Sequence, residues 1–229
     1  RVLSPLFGGF LTFGSLETGQ ESAPGQMPAA TLKDIYRVND ERADFKIYGV
    51  VGSPVSKSLG YLVHNRAFHE KASPDIYVSF LVDNVEKFFN SFKDLFSGLS
   101  VTMPAKEQII PLLNRVEETA QKIGAVNTVV REGDDWVGYN TDCSGAIKAL
   151  EGCTSMQGKN VLILGCGGTA KAIGYGVKEK GGRLTITYHG DKERGESLAK
   201  ELACELVHAR EAGHCTARDP GSFNKKCTI

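Results

Sequence analysis

An α/β fold with a largely parallel sheet is what this sequence predicts, on three observations. Short apolar, β-branched runs alternate with helically spaced stretches along most of the 229 residues, the pattern of a sheet covered by helices. The run Asn160-Val-Leu-Ile-Leu164 enters a glycine-rich turn, a helical stretch and a second apolar run, which is a βαβ opening. The length is enough for one large domain or two small ones, so a sizeable core can be buried.

The elements follow in order. Arg1 to Phe13 is apolar and Gly-rich and reads as one short strand, and Ser15 to Ala30 clusters Gly, Ser and Pro as loops do. Leu32 to Val38 has helical spacing behind Thr31 as a cap, and the charged stretch Asn39 to Asp44 reads as a linker. Then come a strand over Lys46 to Val51, a turn-rich segment Gly52 to Gly60 and a helix over Tyr61 to Lys71, in which His64 and Asn65 read as possible caps. Strand Asp75 to Val82, helix Val85 to Leu95 and strand Gly98 to Met103 continue the alternation. Helices Lys106 to Asn114 and Glu117 to Ile123, strands Ala125 to Arg131 and Trp136 to Tyr139, and helix Cys143 to Leu150 follow. Beyond the linker Glu151 to Lys159 come strand Asn160 to Leu164, helix Gly168 to Lys180, strand Arg183 to Thr187 and helix Glu193 to Cys204. There the pattern fails: Glu211 to Ile229 is polar, broken by Gly and Pro, and shows no apolar periodicity.

Composition narrows the function. Lys plus Arg equal Asp plus Glu at 27 each, so no net field recruits nucleic acid or anionic lipid, and a small molecule is the more natural partner. The six cysteines, Cys143, Cys153, Cys166, Cys204, Cys215 and Cys227, contain no Cys-x-x-Cys pair, which suits free thiols and gives no reason to expect a metal. No run approaches the roughly 20 apolar residues of a membrane span. The opening residues lack a signal-peptide layout and no Met starts the chain, which reads as a piece of a longer one.

Three places carry chemistry. Gly165-Cys-Gly-Gly168-Thr-Ala170 lies between strand and helix, where glycines permit a tight turn and close backbone approach to a pyrophosphate held by helix N-terminal amides. The candidate cofactor ligands are Gly165, Gly167, Gly168, Thr169 and Ala170. An NAD site usually has an acid at the end of the second strand; here Tyr188, His189 and Gly190 stand there, and His189, Lys192 and Arg194 suit a 2′-phosphate as well as they suit a solvated helix start. Lys106 follows the strand ending Val101-Thr-Met-Pro-Ala, and Asp142 ends Gly138-Tyr-Asn-Thr-Asp; a lysine near a carboxylate can orient a hydroxyl and move its proton while hydride leaves the same carbon. Spacing alone reads both as surface charges and does not establish a site. Ser56 and Ser58 follow a strand, where hydroxyls can grip a polar ligand or simply form a turn.

Pro54-Val-Ser-Lys-Ser58-Leu-Gly60-x-x-x-His64-Asn65, Val101-Thr-Met-Pro-Ala-Lys106, Gly124-Ala-Val-Asn127-Thr, Gly138-Tyr-Asn-Thr-Asp142 and Gly165-Cys-Gly-Gly168 occur in one order. Together they resemble the shikimate dehydrogenase family. Arg1-Val-Leu-Ser-Pro and Glu21-Ser-Ala-Pro-Gly-Gln26 are similar to the last strand and loop of type I 3-dehydroquinate dehydratase, the order found in plant bifunctional enzymes of the two families.

The resemblance implies residues 1–42 as the end of a dehydratase TIM barrel, 43–152 as a substrate-binding domain, 153–207 as part of an NADP-binding Rossmann domain and 208–229 as a divergent tail. It implies Lys106 and Asp142 as the catalytic pair, Thr102 and Asn127 as ligands of substrate hydroxyls, and Ser58 as a carboxylate ligand. It further implies NADP as cofactor, shikimate or quinate as substrate, a barrel fused upstream, and a plastid location. Arg1, Ser22 and Gln26 match dehydratase ligands, but that family's Schiff-base lysine would lie upstream of Arg1, so dehydratase activity is not expected from this chain. The family's second carboxylate-binding serine is Gly60, which removes a hydroxyl and frees room near the ring carbon that carries an extra hydroxyl in quinate. The family's Asn-Arg-Thr clamp is absent after Thr187. The tail from about His208 departs from the family, as a frameshift or partial reading frame would make it, so a catalytically impaired product is the alternative expectation.

Overall fold

The computed structural model describes residues 1–211. They form two compact units, residues 1–115 with 128–137, and residues 116–127 with 138 onward.

In the first unit the leading segment is not a strand. It holds a four-residue helix, α1 (Leu3–Leu6), and then loop, with Ser15 bridging Pro28. Pro5 has no amide to donate, Gly8 sits at φ 83°, and among the described residues no neighbouring strand pairs with this stretch. The expected helix after Thr31 is a single π-turn, Thr31–Ile35, and Thr31 lies inside it rather than capping it.

The sheet runs β2-β1-β3-β5-β6-β4. β1 (Ile47–Gly52) lies parallel to β2 (Ile76–Leu81) and β3 (Gly98–Val101), and β3 is antiparallel to β5 (Thr128–Glu132). β6 (Asp135–Tyr139) and β4 (Arg115–Val116) complete it, the latter too short to read from sequence. β1 is buried at five of its six positions because helices cover a parallel sheet on both faces. Val51, Ile76, Phe89, Ile109 and Val129 are at most 1% exposed and mark the core.

α2 (Gly60–Glu70) is fixed to β2 by Asn65, which is not a cap. Its amide donates to the carbonyls of Tyr61 (2.7 Å) and Tyr77 (2.8 Å) and accepts from the Tyr77 amide (2.9 Å). α3 (Val85–Phe92) starts at a true cap, with Asn84 accepting from the Lys87 amide. The expected helix 106–114 breaks into α4 (Ala105–Gln108) and a 3₁₀ turn, Ile110–Leu112, because Pro111 can neither donate to nor fit a continuous α-helix.

In the second unit, Glu117 caps α5 (Glu118–Ile123) by accepting from the amides of Thr119 and Ala120, and Gly124 ends it at φ 67°. α6 (Thr141–Glu151) is capped by Asn140. A three-stranded parallel sheet follows in the order β7 (Asn160–Ile163), β8 (Arg183–Tyr188), β9 (Glu205–His208), joined by α7 (Gly168–Glu179) and α8 (Lys192–Glu201). β9 lies where the sequence pattern was read as failing; its two apolar residues, Leu206 and Val207, are too few to set a period.

Cys143, Ile147 and Leu150 of α6 share one core cluster with Ile163, Ala172, Val177 and Ile186. A Cβ on Gly176 would lie 2.4 Å from Ile147 Cγ1, so a glycine lets α6 and α7 approach this closely. Side chains from both sides of residue 152 thus pack into one cluster. Cys143, Cys153, Cys166 and Cys204 are free thiols. Cys215, Cys227 and residues 212–229 of the tail lie outside the described residues. No described helix is long and apolar enough to cross a membrane.

Candidate active site

The first unit brings together the loops after β1 and β3. The Thr102 amide donates to the Val51 carbonyl and the Ser53 amide to that of Met103, each at 2.9 Å. A Cβ on Gly52, at φ 154°, would lie 2.5 Å from Thr102 Cγ2, so Gly52 permits this contact. Ser58 Oγ accepts from the Gly60 amide at 3.3 Å, leaving its proton for another acceptor. Lys106 stands half-buried in α4, directly beyond the Thr102 loop. Ser58, Gly60, Thr102 and Lys106 thus all follow β1 and β3 at their carboxyl ends, the edge where α/β sheets bind ligands.

The second unit builds the head of α6 around Asn127. Its amide nitrogen donates to Asp142 Oδ1 at 2.7 Å and to Thr141 Oγ1 at 3.0 Å, while its oxygen accepts from the Thr141 amide at 2.8 Å. Asn140 Nδ2 holds the Ala125 carbonyl at 2.9 Å, and the Asn127 amide donates to the Tyr139 carbonyl at 3.0 Å. Asp142 is half-buried in the first turn of α6, where the helix dipole favours a carboxylate. Thr141 was not singled out from sequence, although a hydroxyl between a cap and a candidate carboxylate is a signal that could have found it.

The glycine turn after β7 is shaped for a phosphate group. Gly165 has φ 122°, and its amide donates to Thr187 Oγ1, at the end of β8, at 2.8 Å. A Cβ on Gly165, Gly167 or Gly168 would meet nothing within 4 Å, so open space lies over the turn. Gly167 caps α7 without a side chain, which leaves the first amides of that helix to an anion. Thr169 is exposed and Ala170 buried against the sheet. His189 is exposed beyond β8, 6.3 Å between ring centroids from His208 at the end of β9. These features fit a dinucleotide.

The leading segment gathers Arg1, Ser22 and Gln26. Arg1 donates to the Pro24 carbonyl at 3.0 Å, and Gln26 Oε1 accepts from the Ser22 amide at 2.8 Å and from its hydroxyl at 3.1 Å.

Residues 50–129 match the family model of the shikimate dehydrogenase substrate binding domain, and residues 1–43 that of type I 3-dehydroquinase. The chain is therefore similar to a shikimate dehydrogenase substrate binding domain over residues 50–129 and to type I 3-dehydroquinase over residues 1–43. Among named relatives, the chain is 38% identical over 218 residues to the chloroplastic bifunctional 3-dehydroquinate dehydratase/shikimate dehydrogenase of Arabidopsis thaliana, covering 86% of this chain and 36% of that protein. It is 40% identical over 163 residues to the NADP(+) shikimate dehydrogenase of Syntrophobacter fumaroxidans, covering 71% of this chain and 57% of the relative. The crystal structure of shikimate dehydrogenase from Aquifex aeolicus superposes with a TM-score of 0.70 at 36% identity, over 76% of this chain and 66% of that one. The Thermus thermophilus enzyme solved with NADP(H) and shikimate gives a TM-score of 0.65 at 29% identity, over 73% of this chain and 64% of that one. The chain thus spans less than two thirds of the length of these relatives.

Proposed function

We propose that this chain carries the shikimate dehydrogenase function of such an enzyme: NADP-dependent interconversion of 3-dehydroshikimate and shikimate, with quinate and 3-dehydroquinate as the variant that Gly60 favours. Residues 43–152 serve as the substrate domain in this reading, and 153–207 as the opening of the nucleotide domain. The observation that carries it is the hydrogen bond at 2.7 Å from Asn127 to Asp142, which aims a helix-head carboxylate. NADP, when bound, accepts or donates a hydride at its nicotinamide ring. The turn Gly165 to Ala170 would hold its pyrophosphate and His189 would sit by its 2′-phosphate.

The chain's own residues handle the substrate and the proton. Ser58 donates to the ring carboxylate, and Thr102 and Asn127 fix ring hydroxyls. Lys106 takes the proton of the reacting hydroxyl as the carbon beneath it loses hydride, and gives that proton back in the reverse direction. Asp142, held by Asn127, accepts from the reacting hydroxyl and keeps it oriented. Plastid placement rests on the Arabidopsis relative being chloroplastic.

The test is reduction of NADP by purified protein supplied with shikimate or quinate. Turnover that favours quinate and moves toward shikimate in Gly60→Ser supports the reading; an unchanged preference removes the quinate part.

A further inference from the structure

Gly60 and Tyr77 meet within the first unit, and their contact decides what occupies the place of the missing serine. A Cβ on Gly60 would lie 3.1 Å from Tyr77 Cε1, 3.3 Å from Tyr77 Oη and 3.3 Å from Ser58 Oγ. The phenol therefore crowds the place of a side chain at position 60 and would have to give by a few tenths of an ångström to admit one. The ring is not free to swing away. Tyr77 is 5% exposed, its ring lies against His64 with centroids 4.3 Å apart and planes 20° from parallel, and its backbone is tied on both sides to Asn65. Its hydroxyl is hydrogen-bonded to the side chain of Ser100, two residues before Thr102, and burial raises its pKa, which keeps the proton on.

We infer that Tyr77 is a specificity-determining residue of the substrate site, its Oη beside Ser58 standing in for the hydroxyl that Gly60 lacks and donating to the carboxylate of a small polyhydroxylated ring acid. This rests on the proposed dehydrogenase reading. It also changes what Gly60→Ser means: the new Cβ would press on the Tyr77 ring, so the substitution is not a simple gain of a hydroxyl.

The inference is tested with Tyr77→Phe, Gly60→Ser, Tyr77→Val and the Gly60→Ser/Tyr77→Val pair. Tyr77→Phe, which keeps the ring and loses only Oη, should raise KM for shikimate and quinate roughly 3- to 10-fold, the worth of one hydrogen bond, and leave kcat within about twofold. In urea unfolding, Gly60→Ser should cost more in the wild-type background than beside Tyr77→Val. An active wild type with unchanged KM in Tyr77→Phe overturns the ligand role alone. Additive unfolding midpoints overturn the packing contact. A wild type that turns over neither acid overturns the dehydrogenase reading and, with it, the role of Oη.

Discussion

Asn127 Nδ2 donates to Asp142 Oδ1 at 2.7 Å, joining the chain before β5 to the first turn of α6. Thr141 holds the Asn127 side chain in the orientation this bond requires, because the Thr141 backbone amide donates to Asn127 Oδ1 at 2.8 Å. Removing the amide should therefore misdirect the carboxylate without unfolding the protein. Asn127→Ala is expected to lower kcat/KM for shikimate by about 10- to 100-fold, with Asp142→Asn falling further. Steady-state kinetics beside circular dichroism measure this; full activity in both variants would show that the pair has no part in turnover.

Gly165 is held at φ 122° with its amide on Thr187 Oγ1. Gly165→Ala places a Cβ in open space but forces an alanine into a backbone region that costs it about 1–3 kcal/mol. The turn should deform, and KM for NADP should rise by roughly tenfold or more while that for shikimate stays the same. Titration of NADP quenching of protein fluorescence checks the first part without requiring turnover.

Asn65 makes all three of its side-chain hydrogen bonds to backbone, and two of them go to buried Tyr77. Asn65→Leu leaves the N–H and the carbonyl of Tyr77 without their side-chain partner between α2 and β2. It should lower stability by about 2–4 kcal/mol in denaturant unfolding. A loss under about 0.5 kcal/mol would mean that water replaces the amide.

His64 keeps one edge in solvent while its ring lies on buried Tyr77, and burial lowers its pKa from the ordinary 6.5. A histidine that prefers to be neutral in the fold takes up its proton more readily when unfolded. Its contribution is therefore fully present above about pH 6.5 and is lost as pH falls below that value. Unfolding midpoints measured across pH 5 to 8 should fall on the acid side, and His64→Gln should flatten that limb.

Much of this was legible in the sequence because period and punctuation agree. β1, β2 and β3 carry apolar runs between turn residues, α3 begins at Asn84, and α5 ends at Gly124, where only a glycine is comfortable at φ 67°. What failed did so locally. Arg1 to Phe13 has the composition of a strand but no described neighbour to pair with. Lys106 to Asn114 has a helical period that Pro111 interrupts, and Leu206 and Val207 of β9 are too short a run to announce a strand. Asn65 resembled a cap because a cap and a backbone clamp use the same amide. The motifs for Asn127 and Asp142 were visible, but their hydrogen bond was not, since residues 15 apart meet only once β5, β6 and α6 are in place. The Tyr77 contact was equally hidden, because nothing in the order of residues ties a β2 side chain to Gly60.

The most direct measurement is the rate at which wild type and Lys106→Met reduce NADP with shikimate and with quinate under one set of conditions. The account predicts turnover by the wild type and a loss of about 10²- to 10⁴-fold in kcat for Lys106→Met, with KM little changed. Wild-type inactivity with both acids, or a Lys106→Met variant as fast as its parent, would contradict it.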